Sequence, residues 1–175
     1  RGPMVLKTDR IDAEAAAQYA LRYLERRVES FGLDLAQYRG HMAARPDLPP
    51  ADVVWGMCNE ELIRLTKTRD WQGAGALYYG MALFAAEEDR AFIHLLEASA
   101  KMRLHGYQSQ GAIRKVRILT AGKGNACESC RRLERKTFTL EEALQLEPLP
   151  CKSCTMVVVG TTPGFCRCEY IPCIR

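Results

Sequence analysis

From residue 9 to residue 32, apolar side chains recur at three- and four-residue intervals, as Ile11, Ala17, Leu21, Leu24, Val28 and Phe31, with Gly32 placed as a stop. That period predicts an amphipathic helix with Asp9 as its N-cap. Residues 33–50 hold Gly40, Pro46, Pro49 and Pro50 and read as a connection that cannot stay helical throughout. A second helix begins just past Pro50, with Val53, Val54, Met57, Cys58, Leu62 and Leu65 on one stripe. A third covers residues 71–86, where Gly73, Gly75 and Gly80 weaken the helix but permit close approach of a neighbour. The run Glu87-Glu88-Asp89 suits the first turn of a fourth helix, because the positive helix N-terminus favours acids; its stripe runs from Phe92 to Leu104 and the helix reaches about Tyr107.

Beyond Ile113 the period shortens. Residues 114–120 read as a strand, and 135–138 as a second strand pairing back across it. Thr139 with Glu142 forms a capping box for a short helix over 140–146, stopped before Pro148 and Pro150. Residues 156–159 and 167–171 are the last strand candidates, separated by a turn over 160–164. The small-and-aromatic pattern of residues 74–86 has no second copy at a fixed period, which excludes a helical-repeat solenoid.

Cysteine placement divides the 175-residue chain: seven of eight lie after residue 126. The pairs Cys127/Cys130 and Cys151/Cys154 have the CxxC…CxxC spacing that delivers four thiolates to one tetrahedral ion. Zinc is the expected cofactor, because a short β-rich lobe holds too little apolar surface to fold without a staple. The thiols are read as ligands and not as a disulfide framework, since the N-terminus lacks the pattern of a secretion signal. Two ligand sets remain open. One is Cys127, Cys130, Cys151 and Cys154; the other takes Cys127 and Cys130 with one thiolate from Cys151/Cys154 and one from Cys166/Cys168. Cys58 on its apolar stripe reads as core.

The formal charge of +4 conceals an asymmetry. Residues 1–100 carry 12 Lys/Arg against 15 Asp/Glu, and residues 101–175 carry 13 against 6. Eight basic residues, Arg114, Lys115, Arg117, Lys123, Arg131, Arg132, Arg135 and Lys136, fall within one strand–knuckle–strand unit. Such a run can track a phosphate backbone, so DNA or RNA is an expected partner; with Phe138 the nearby aromatic, duplex contact is favoured over base stacking. His41, His94 and His105 are scattered and join no recognisable hydrolase or metal-nuclease motif. No catalytic residue is assigned. No apolar run spans a bilayer, and the expectation is a cytoplasmic protein without membrane contact. Arg1-Gly2-Pro3, ahead of Met4, has the look of a vector-derived leader.

The stretch from Val116 to Pro172 resembles the C-terminal cysteine motif of phage head-morphogenesis proteins of the Mu protein F kind. That motif runs strand, CxxC, a short hairpin with a leucine and an aromatic, then a proline-led CRC; Cys127, Cys130, Leu133, Phe138, Pro163, Cys166, Arg167 and Cys168 occupy those positions. Arg135 stands where the motif has a glycine, and the histidine before the final CRC is absent, with Cys151 or Cys154 as its substitute. The helical N-terminal region has no counterpart. The resemblance implies a zinc-stabilised interaction lobe.

The expected architecture is α+β: an α-helical bundle over residues 1–110, then a zinc-stapled, β-rich, ribbon- or knuckle-like lobe over 111–175. The leading expected function is a zinc-stabilised binding protein that contacts nucleic acid through the basic C-terminal surface, with the helical region supplying protein contacts or self-association. A protein–protein adaptor with purely structural zinc, related to phage heads or otherwise, is the second reading. A metal-dependent enzyme assembled across the two regions is the third.

Overall fold

The computed structural model describes residues 7–122, 124, 126–156 and 165–173, with side chains from residue 13 onward. Among them are seven α-helices and three strands: α1 Lys7–Ser30, α2 Leu35–Ala44, α3 Pro50–Lys67, α4 Trp71–Glu87, α5 Ile93–Ser109, β1 Lys115–Leu119, α6 Glu128–Leu133, β2 Thr137–Thr139, α7 Leu140–Leu146 and β3 Glu169–Pro172. The chain folds as two compact units, Arg1–Glu61 and Leu62–Arg175. The change of secondary structure near residue 110 is therefore not where the compact units divide.

In the first unit, α1 ends at Gly32, whose φ of 70° lets the Leu33 N–H donate back to the Val28 carbonyl at 3.1 Å. Asp9 lies inside α1 and not at its cap. Residues 35–44 form a helix that the proline content had obscured: every proline of that segment lies after residue 45, and the Asp34 carboxylate accepts from the Ala36 and Gln37 N–H groups at 2.7 and 3.1 Å. Leu24, Val28, Tyr38, Val53, Val54, Met57 and Cys58 are its buried apolar side chains.

The second unit is built on an α4–α5 pair. The two helices approach closely at Gly75, where a Cβ would lie in van der Waals contact, 3.4 Å from both the Met102 Cβ and the Ser99 carbonyl, and the Ser99 hydroxyl donates to the Gly75 carbonyl at 2.8 Å. The acidic run does not open a helix. Glu87 closes α4, Glu88 is its C-cap and Asp89 turns left-handed at φ 55°, with the Arg90 N–H returning to the Ala85 carbonyl. The apolar face of α4 stays in register through Phe84 and Ala85, and this burial overrides the preference of acids for a helix start.

The sheet is antiparallel in the order β2–β1–β3, with Val116 opposite Phe138 and Pro172, and Arg117 opposite Thr137 and Ile171. Strand β1 alternates cleanly: Val116 and Ile118 point inward, while Lys115, Arg117 and Leu119 point out. The expected 135–138 strand is shorter and shifted, since Arg135 adopts φ 65° at the turn before β2. The capping box of α7 forms as expected, with the Thr139 N–H donating to Glu142 at 2.7 Å and the Glu142 N–H to the Thr139 hydroxyl at 3.1 Å. Of the last two strand candidates, 167–171 is realised as β3; residues 157–159 and the turn over 160–164 lie outside the described residues.

One core joins α5 to the sheet and to the cysteines. Leu104, Val116, Ile118, Ala143, Leu149 and Tyr170 pack with Cys130, Cys151 and Cys166. Tyr170 ties the layers together: its carbonyl accepts from the Tyr107 hydroxyl at 3.0 Å and its own hydroxyl accepts the Leu149 N–H at 3.3 Å. Ion pairs Lys101–Glu147, at 2.8 Å, and Arg103–Glu169 bridge the same elements at the surface. No described helix is long and apolar enough to cross a membrane.

Candidate metal centre and basic face

The first CxxC pair, between the two strands that the sequence predicts, sits on a helical turn. Cys127 is the N-cap of α6, and its sulfur accepts the Cys130 N–H at 3.5 Å. The chain then returns through Cys154 and through Cys166-Arg167-Cys168, so that the sulfurs fall into two triads sharing Cys130. One is Cys127, Cys130 and Cys154; the other is Cys130, Cys166 and Cys168.

The sulfurs lie 3.8 Å apart for Cys127 and Cys154, 3.5 Å for Cys130 and Cys154 and 3.7 Å for Cys130 and Cys166. A tetrahedral ion with metal–sulfur bonds of about 2.3 Å spaces its ligands about 3.8 Å apart, so these contacts have the dimensions of a thiolate site. The cysteines are free and not disulfide-bonded. They could hold a metal ion.

Electrostatics point the same way. Burial opposes ionisation of Cys127, yet the N–H groups of Cys130 and Thr155, with the thiols of Cys130 and Cys154, outweigh it and bring the pKa down to about 6. At Cys166 the Cys168 thiol is the largest influence; with the N–H groups of Cys151 and Cys168 it overcomes burial and lowers the pKa to about 5. Cys130 is pushed up, by burial first and then by hydrogen bonding to its sulfur neighbours, and Cys168 is pushed up by its bond to Cys166. Sulfurs this close cannot all carry charge by themselves. A bound cation removes that conflict, because it stabilises every thiolate around it.

Cys151 stands outside both triads. Its thiol lies 3.7 Å from the Ser153 hydroxyl, and its contribution is a backbone N–H directed at the Cys166 sulfur. Cys173 is also apart, with its N–H on the Lys115 carbonyl. His105 stacks against Trp71 with ring centroids 5.4 Å apart and takes no part in either triad. Cys58, in α3, is a core thiol that burial pushes up to about 12. What the sequence did not disclose is the set of supporting N–H donors, those of Thr155, Met156 and Cys151. Only the Met156 N–H, two residues beyond the Cys154 sulfur it serves, has a local signal; Thr155 serves Cys127 and Cys151 serves Cys166 across the fold, which spacing does not disclose.

The basic residues are partly gathered. Lys115 and Arg117 project from the outer face of β1. Arg131 and Arg132 are exposed on α6, and Arg135 and Lys136 are exposed on the turn leading to β2; Arg114 is exposed just ahead of β1. Arg132 pairs with Glu128 at 2.5 Å, whereas Arg117, Arg131, Arg135 and Lys136 make no ion pair with a described residue. Lys123 lies outside the described residues. Compared with known proteins, the chain matches no family model, no curated protein and no solved structure.

Proposed function

We propose that the second unit is a zinc-stapled binding module whose basic face contacts nucleic acid. The observation that carries this reading is the set of exposed cations without an ion pair to a described residue: Arg117 outward on β1, Arg131 on α6, and Arg135 and Lys136 on the turn leading into β2, with Lys115, which acts on the Glu142 carboxylate, also outward on β1. A surface of unpaired guanidinium and ammonium groups on a short rigid sheet suits phosphate contact, which gains from release of condensed counterions. Zinc is the favoured ion because a cluster of thiolates without carboxylate or imidazole donors is the donor set of structural zinc or of an iron–sulfur centre. With one sulfur of the second triad completing the first, the ion would have four thiolates and no water to activate, which favours binding over catalysis.

Fluorescence anisotropy with a labelled duplex tests the proposal. Affinity should fall about 100-fold or more between 50 and 200 mM salt if several phosphates are neutralised. The double variant Lys115→Glu/Arg117→Glu should lose binding and flatten that slope. Absence of duplex binding at the lower salt, in metal-loaded protein, would remove the reading and leave the adaptor alternative, in which the zinc lobe serves protein contacts as the phage-head resemblance suggests.

A further inference from the structure

The second unit carries a cleft of about 870 Å³ on the side of its core defined by α4, α5 and the Cys166–Tyr170 segment. Its volume falls in the range of small-molecule sites. None of the basic residues assigned above to nucleic acid lines it. Its aromatic walls are Trp71 and Tyr79 from α4 and Tyr107 from α5. Tyr79 is 40% exposed, so its ring is open to a ligand from solvent. Tyr107 is fixed by its hydrogen bond to the Tyr170 carbonyl, so that wall is preformed.

The charged residues of the lining are Arg103, Arg167 and Glu169. Glu169 is occupied by Arg103. Arg167 has no ion pair with a described residue, and it lines the same cleft as Tyr79. The flanking Cys166 and Cys168 belong to the sulfur cluster, so the backbone that presents this guanidinium is anchored on both sides. One unneutralised guanidinium among aromatic faces is complementary to a flat ring bearing an anion.

We propose that this cleft binds a small aromatic anion, its ring against Trp71 and Tyr79 and its phosphate or carboxylate on Arg167. Nucleotides and aromatic carboxylic acids share that chemistry. The site is separate from the basic face, and it stands or falls independently of nucleic-acid binding.

The chain has two tryptophans, so Trp55→Phe leaves Trp71 as the sole reporter. Metal-loaded protein of this background is titrated with adenosine 5′-monophosphate, indole-3-carboxylate, adenosine and inorganic phosphate. One of the two aromatic anions should give saturable quenching tighter than about 1 mM, at least about tenfold tighter than adenosine or phosphate. Which of the two binds identifies the source of the ligand. Arg167→Gln should weaken that binding at least about tenfold with metal content unchanged, and Tyr79→Ala, on α4 and away from the cysteines, should weaken it while leaving duplex affinity intact. If Arg167→Gln loses metal, Tyr79→Ala alone decides. The inference is overturned if neither aromatic anion quenches saturably, or if Tyr79→Ala binds as the parent does.

Discussion

Leu104→Ala removes the α5 side chain that enters the cysteine core, where Leu104 is 2% exposed and packs with Val116, Ile118 and Tyr170. Deleting a fully buried leucine costs the transfer energy of the lost carbons plus that of the cavity, about 3 kcal/mol in a site that collapses partially. For a unit the size of Leu62–Arg175, each kcal/mol lowers the midpoint by about 4 °C, so a fall of about 12 °C is expected. The assay is differential scanning calorimetry of the metal-loaded protein. Because α5 shares one core with the sheet and the cysteines and packs against α4, the transition reporting on Leu62–Arg175 should move as a whole, with near-ultraviolet ellipticity lost at the same temperature. The reasoning fails if the variant shows the helical transition displaced while a separate, metal-dependent transition stays at the parent temperature. That outcome would make residues beyond 110 an independent domain.

Arg135 holds φ 65°, which costs a side-chain-bearing residue about 1 kcal/mol, partly offset in a glycine by extra freedom when unfolded; Arg135→Gly should therefore stabilise the protein by about 0.5 kcal/mol in urea titration. A destabilised variant would mean that the arginine side chain contributes more than the turn conformation costs. Thr139→Ala should cost about 1 kcal/mol by removing the N-cap of α7. The Thr139 N–H and hydroxyl hold the Glu142 carboxyl below its ordinary value, so the capping contribution is complete above the unfolded carboxyl pKa of about 4.3 and fades as pH falls through the lower folded value. The variant that removes the titrating arm is Glu142→Ala, whose penalty should accordingly shrink in acid; a penalty independent of pH from 7 to 3 would refute the reciprocal cap.

How far the sequence disclosed this protein differs by element. Helices α1, α3 and α4 were legible because one apolar stripe dictates each, and α7 because a capping box is a local device that tertiary contacts do not alter. Helix α2 was hidden by flanking prolines, and the α4–α5 turn by acids whose local preference yields to burial of Phe84 and Phe92. At the site, spacing identified the cysteines as a cluster but could not separate Cys151 from Cys154. Their difference arises from the return of the chain through Phe165 and Cys166, a long-range event: Cys154 turns its sulfur to Cys130, and Cys151 offers only its backbone. The cleft left no sequence signal, since Arg167, just ahead of β3, is far along the chain from Trp71 and Tyr79 on α4 and shares a cleft with them only in the folded unit, where β3 packs on α5.

The central claim is that the sulfurs converging on Cys130 hold one thiophilic ion that the fold requires. Because Cys130 belongs to both triads and Cys173 to neither, elemental analysis of the reduced protein beside Cys130→Ser and Cys173→Ser puts that claim to the sharpest test. The account predicts zinc at one equivalent per chain in the parent and in Cys173→Ser, with its loss and a collapse of ordered structure in Cys130→Ser, since such a site supplies roughly 10 kcal/mol or more of folding free energy. Equimolar zinc retained in Cys130→Ser, or a parent that folds fully with the metal stripped by chelator, would contradict it.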